Sequence, residues 1–107
     1  MPTNTISSLY GPEYLTASAA VLVSGTSAGT MVKNILIVNS SGTTETVELY
    51  IHTAAPDNSK LVYKAALSPG DFSQFEGTML IPSGSSLYGK STNASAATVS
   101  VHGMSMT

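Results

Sequence analysis

The chain of 107 residues contains no cysteine, no tryptophan and no arginine. Lack of cysteine excludes disulfides and thiolate zinc sites, and it leaves the redox compartment open. Lack of arginine removes the bidentate fork that reads phosphate and guanine. The four lysines, Lys33, Lys60, Lys64 and Lys90, are scattered and form no basic cluster of the kind that grips a nucleic-acid backbone. No nucleic-acid partner is expected. Charge of either sign is scarce: 9% of residues are charged and the net charge is −2, against about 25% charged in an ordinary domain. Long apolar runs are absent too. The longest, residues 19–23, is far short of the ~20 residues that cross a bilayer. The first fifteen residues lack both a basic start and an apolar stretch, so neither a signal peptide nor a membrane partner is expected.

What takes the place of charge is hydroxyl: 30 serines and threonines, beside 11 alanines and 9 glycines. Such composition overlaps with that of flexible linkers. Here, however, the apolar residues fall in short ordered runs with turn signals between them, which describes a folded domain. The length allows one core and one domain over residues 1–107.

The dominant period is two. In residues 44–52, Val47, Leu49 and Ile51 point one way, whereas Glu45, Glu48, Tyr50 and His52 are read off that face, with the register at the strand start open. Residues 31–38 become apolar on both faces towards their end, as in a central strand or one covered by another subunit. The turn-forming run Asn39-Ser40-Ser41-Gly42-Thr43 between these two segments predicts a hairpin. Residues 61–67 read as a strand entered through a turn at 55–59. Ser68-Pro69-Gly70-Asp71 reads as a type II turn, with Pro at its second position and Gly at its third. Segments 72–75 and 78–81 follow, then a short strand at 86–90 in which Gly89 marks a bulge or a close contact. An alternating run at 98–106 closes the chain. Residues 5–10 and 14–23 complete the set. Only residues 17–22 could hold a helical turn, and they lack a cap and run into β-branched Val23. Some seven to nine short strands, without helices between them, predict an all-β antiparallel sandwich or small barrel.

Chemistry has little to draw on. Enzymes bring titratable groups close enough to perturb one another, and the supply here is His52, His102 and six acids. No G-x-S-x-G elbow occurs, no His pair stands at i, i+4, and no calcium-loop spacing is present. Glu45 and Glu48 lie an odd number apart and cannot act as a pair on one strand face. Asp71 belongs to its turn. Both histidines sit where strand neighbours alternate outward, as solvated or interface imidazoles would. The chain is therefore expected to be non-enzymatic, with no catalytic residue, no metal and no cofactor. Two acceptor patterns for glycosylation, at Asn39 and Asn93, match the number expected by chance. The residues expected to touch a partner or a glycan are Tyr50, His52 and Tyr88, with Tyr50 on the polar face of its strand the best single aromatic platform.

One feature points to assembly. Strand-rich proteins guard their sheet edges with lysine, proline or bulges, and this chain has four lysines in all. A surface so poor in charge self-associates. The expectation is a chain whose edges and faces are covered by partner subunits.

The order of these segments resembles that of small virion structural proteins of tailed bacteriophages. The likeness is carried by residues 31–42 (MVKNILIVNSSG) followed by 46–51 (TVELYI), by 67–71 (LSPGD), by 80–87 (LIPSGSSL) and by the closing 98–103 (TVSVHG). It spans about residues 25–105 and consists of strand and turn patterns without catalytic residues. The resemblance implies a jelly-roll-like or immunoglobulin-like sandwich that assembles, with a trimer favoured, and binds a major capsid protein or tail proteins. It implies location in the virion, after assembly in the host cytoplasm. Capsid decoration, or cement, is the expected role. A tail or baseplate component, or a carbohydrate-binding adhesin at the tail tip, is the alternative. Residues 1–24 resemble the family least and are read either as an arm or as the first strands.

Overall fold

The computed structural model describes residues 7–53 and 61–105. They form eight strands and no helix: β1 (Ser7–Tyr14), β2 (Ala20–Ser24), β3 (Thr30–Asn39), β4 (Glu45–His52), β5 (Leu61–Leu67), β6 (Phe72–Ile81), β7 (Ser86–Ser91) and β8 (Ala97–Ser105). Residues 7–24 are thus the first strands of the fold, and the candidate helical turn at 17–22 resolves into a bend and β2. The turn expected at 55–59 lies outside the described residues.

The strands make two antiparallel sheets of four, ordered β1-β8-β3-β6 and β2-β7-β4-β5. The pairings β1 with β8, β2 with β7, β3 with β6 and β4 with β5 are those of one long ribbon doubled back at its middle. Rolling that ribbon up sets β3 beside β8 and β4 beside β7. This is the jelly-roll order. An immunoglobulin arrangement would pair further consecutive strands, and here only β4 and β5 are paired in sequence order.

The hairpin expected across residues 39–43 does not form. β3 lies between β8 and β6, and β4 between β7 and β5. Each therefore has both edges occupied, in different sheets, and the turn between them is a corner from one sheet to the other. Both strands carry residues that suit a hairpin, so local patterning could not distinguish the two arrangements.

The inner faces of the sheets share one core. Val32, Ile35 and Ile37 of β3, Val47 and Leu49 of β4, Ile81 of β6, Leu87 of β7, and Val99 and Val101 of β8 are all fully buried. Burying such a side chain contributes about 1.5–3 kcal/mol. Bulges adjust the alternation where the sequence breaks it. In β2 the register slips between Val21 and Val23, which lets the adjacent Leu22 and Val23 both turn inward. In β3 a slip at Lys33 does the same for Val32 and Ile35. Segments 72–75 and 78–81 are one strand, β6, interrupted by an irregularity opposite the β3 slip. Gly89 faces this core: a Cβ there would stand 2.7 Å from a methyl of Leu22 and about 3.0 Å from Leu15. Close contact, the second of the two readings of this glycine, is the observed one.

The β1–β2, β3–β4, β5–β6 and β7–β8 connections gather at one end, and two buried polar side chains tie the last three of them. Asn39 donates through Nδ2 to the carbonyls of Thr43 (2.8 Å), Leu67 (2.9 Å) and Ser68 (3.3 Å). Its Oδ1 accepts from the Ser41 amide (3.0 Å) and hydroxyl (2.7 Å). Glu45, with no accessible surface, is on the core side of β4 with Val47 and Leu49, not with the polar set. Its Oε1 accepts the Asn93 amide (2.8 Å), and its Oε2 accepts Asn93 Nδ2 (2.8 Å) and the Thr43 hydroxyl (3.0 Å). The Asn93 side chain holds the Glu45 carboxyl below its usual range; burial opposes it, and the Asn93 backbone amide and the Thr43 hydroxyl add to the lowering. In the turn after β5, Gly70 has φ of +78° and the Asp71 amide donates to the Ser68 carbonyl at 2.9 Å, as a type II turn requires. Asp71 Oδ1 accepts the next amide, that of Phe72.

Candidate functional site

The outward faces of the two sheets differ in chemistry. On the β2-β7-β4-β5 sheet, Lys90, Glu48 and Lys64 stand in one cross-strand row, with Lys90 Nζ 3.7 Å from Glu48. The next row runs Val21, Tyr88, Tyr50, Leu61. Tyr50 and Tyr88 are therefore direct neighbours, and His52 lies two positions further along β4, opposite Ser86. All three of the residues expected to touch a partner or glycan fall on this face.

The expected exposure of Tyr50 is not what the structure has. The residue is 3% exposed, flanked by paired strands on both sides. Burial first, then the nearby Glu48 carboxylate, push its ionisation above the usual tyrosine range. A ring so covered presents no platform on which a sugar could stack. His52 and Tyr88 are half-buried, and His52 Nδ1 accepts the Thr53 amide at 2.8 Å. Among the described residues no pocket forms, and no three His, Asp or Glu side chains converge.

The β1-β8-β3-β6 sheet presents the other kind of surface. Register places Tyr14, Thr98, Val38 and Phe72 in one straight row across all four strands, without a charge among them. Tyr14 is 52% and Phe72 60% exposed. A second row, Met104, Met31 and Leu80, ends in a leucine 51% exposed. Between them, Leu36 lies between Ser100 and Gln74, and Asn34 between His102 and Glu76. Lys33 is drawn into a 2.9 Å bond with the Thr78 hydroxyl. Two rows with exposed large apolar side chains, set on one sheet face with polar rows between them, are the chemistry of a docking surface.

None of Tyr14, Phe72 and Leu80 stood out from the sequence. The available signal was the alternation in residues 72–75, where Ser73 and Phe75 turn inward and Phe72 outward. A polar inner residue beside an aromatic outer one inverts the usual pattern, and only the pairing partners show which face is which.

Compared with known proteins, the chain matches no family model, no curated protein and no solved structure.

Proposed function

We propose that the chain is a non-enzymatic structural protein of a tailed-bacteriophage virion, a decoration or cement protein that binds the outer surface of the capsid and stabilises it. The observation that carries this reading is the pair of rows on the β1-β8-β3-β6 sheet from which Tyr14, Phe72 and Leu80 stand out, each more than half exposed. Two further lines support it. The jelly-roll order belongs to an architecture used by viral capsid domains and also by lectins, which is analogy at the level of fold and not of site. The strand and turn pattern of residues 25–105 resembles small phage virion proteins.

The mechanism needs no reacting group. Burying a Phe or Leu side chain contributes about 1.5–3 kcal/mol before the costs of association are subtracted. A homo-oligomer, with the trimer favoured, presents several such faces to a capsid lattice at once. Effective concentration then turns a modest contact into firm attachment. The bound protein holds neighbouring capsid subunits together because it spans their joint.

Immunogold labelling of intact particles with an antibody against this chain tests the proposal. Label over the whole head is the expected result. Label confined to the tail would replace decoration with a tail or baseplate role, and particles without label would overturn a virion role.

A further inference from the structure

The two sheets have four edges, and they are not equal. The β1 edge is irregular at two places, and β2 is five residues long with a register slip inside it. Such edges resist further strand pairing. The β5 and β6 edges each have a regular stretch: residues 63–67 pair with β4 without a shift, and residues 72–76 pair with β3 without a shift. These stretches flank the turn Ser68-Pro69-Gly70-Asp71, which reverses the chain, so they run side by side in opposite directions. The Tyr63 hydroxyl bonds that of Ser73, and the Tyr63 ring meets Phe75 edge-on at 6.5 Å, which holds the two edges at a common height.

Near that height stand two opposite charges. Lys64 follows Tyr63 and Glu76 follows Phe75 on strands of opposed direction, so the two charges stand about two strand positions apart, or about 7 Å, within the reach of two long side chains. Both are exposed and point to the outer faces of their sheets. The one salt bridge among the described residues, Lys90 with Glu48, includes neither.

We infer that β6 of one copy adds antiparallel to β5 of a second copy, so that Glu76 meets the partner subunit's Lys64, in a closed assembly whose axis runs along the strands. Rotation about such an axis keeps every residue at its own height. Charges that stand close in height within one chain are therefore brought within reach of each other between chains. The opposed directions of β5 and β6 make each new pairing antiparallel, and the outer faces of the joined sheets become continuous. The occupant of the edge is a second copy because both members of the charge pair belong to this chain. Val62, 44% exposed, lies beside the joint and adds apolar area to it. The inference deepens the assembling-protein reading by naming its edges, and it rests on that reading only for association itself: a chain that assembles this way yet binds no capsid would leave it standing.

Light scattering after gel filtration on the wild type, K64E, E76K and K64E/E76K tests it, with circular dichroism to verify that each is folded. The wild type is expected to be a closed oligomer, dimer or trimer. Each single change should raise the concentration at which it dissociates roughly tenfold or more, because like charges then oppose each other at every joint. The double change should restore assembly, since it rebuilds the pair in reverse. K64E alone also sets a like charge against Glu48 within the chain, and the double variant carries the same contact as its control. A monomeric wild type, an oligomer indifferent to both single changes, or a folded double variant that stays apart would each overturn the inference. Amide exchange offers a second readout that needs no variant: residues 72–76 of the wild type should gain protection as concentration rises, and exchange independent of concentration would contradict the edge assignment.

Discussion

Replacing Asn39 with alanine should unfasten the end of the sandwich where four connections meet. The side chain has no accessible surface and serves five partner groups in two segments of chain, residues 41–43 and 67–68. Its bond to the Leu67 carbonyl is buried, and water cannot replace it there. An orphaned buried acceptor costs about 1–3 kcal/mol. The Thr43 and Ser68 carbonyls and the Ser41 amide are partly buried. Water recovers part of those bonds, and their loss costs about 0.5–1.5 kcal/mol for the stronger ones. Asn39→Ala should therefore destabilise by about 2–5 kcal/mol, a large part of the ~5–15 kcal/mol total of an ordinary domain. In thermal unfolding that corresponds to a fall in Tm of roughly 10–20 °C. Asn39→Asp should be at least as harmful, because it turns an oxygen towards three carbonyls and buries a charge without a cation. The assay is urea unfolding at one fixed protein concentration, since association with other copies shifts apparent stability. The midpoint should move with the slope unchanged. An Asn39→Ala protein within about 0.5 kcal/mol of wild type, the range of an ordinary surface change, would refute the reasoning, as would an Asn39→Asp protein of undiminished stability.

Three more outcomes follow from the same geometry. Glu45 has a lowered folded-state ionisation, so its contribution is fully present above the ordinary carboxylate range and is lost as pH falls below that range through the lowered value; acid unfolding followed by circular dichroism should show this limb, and Glu45→Gln should flatten it. Tyr50 has a raised one, so its contribution holds below about pH 10 and is lost as pH rises through the folded value; ultraviolet titration should find one tyrosine ionising late, and Tyr50→Phe should remove that late step. Gly89→Ala puts a methyl 2.7 Å from Leu22 in a filled core, and calorimetry should show a loss of about 1–3 kcal/mol through overpacking.

Much of the fold was legible because β structure writes its period into the chain. Val47, Leu49 and Ile51 alternate as the inner face of β4 requires, and Val99 and Val101 do so in β8. The turn at Pro69 and Gly70 was legible for a different reason: its chemistry is local, and few other residues satisfy a positive φ at its third position. What was hidden depended on partners distant in sequence. Residues 39–43 look the same whether the chain doubles back within a sheet or crosses to another, and the corner is decided by β6 and β8 arriving on either side of β3. Glu45 is hidden from pattern alone because a carboxylate at a core position makes sense only once Asn93, 48 residues away, supplies two donors. The candidate site was the least legible part. Tyr50 alternates correctly to the outer face, yet neighbours on both sides cover it. Phe72 and Leu80, on an edge strand, remain open.

In the role proposed above, the chain attaches to a capsid through Tyr14, Phe72 and Leu80 and strengthens it. The most direct measurement adds purified protein to heads assembled without it, and follows bound copies together with the temperature at which the heads release their DNA. Saturable binding and a higher release temperature are expected, both lost in a folded Phe72→Asp variant. Heads that bind no protein at saturating concentration, or that bind the Phe72→Asp variant as well as the wild type, would contradict that role.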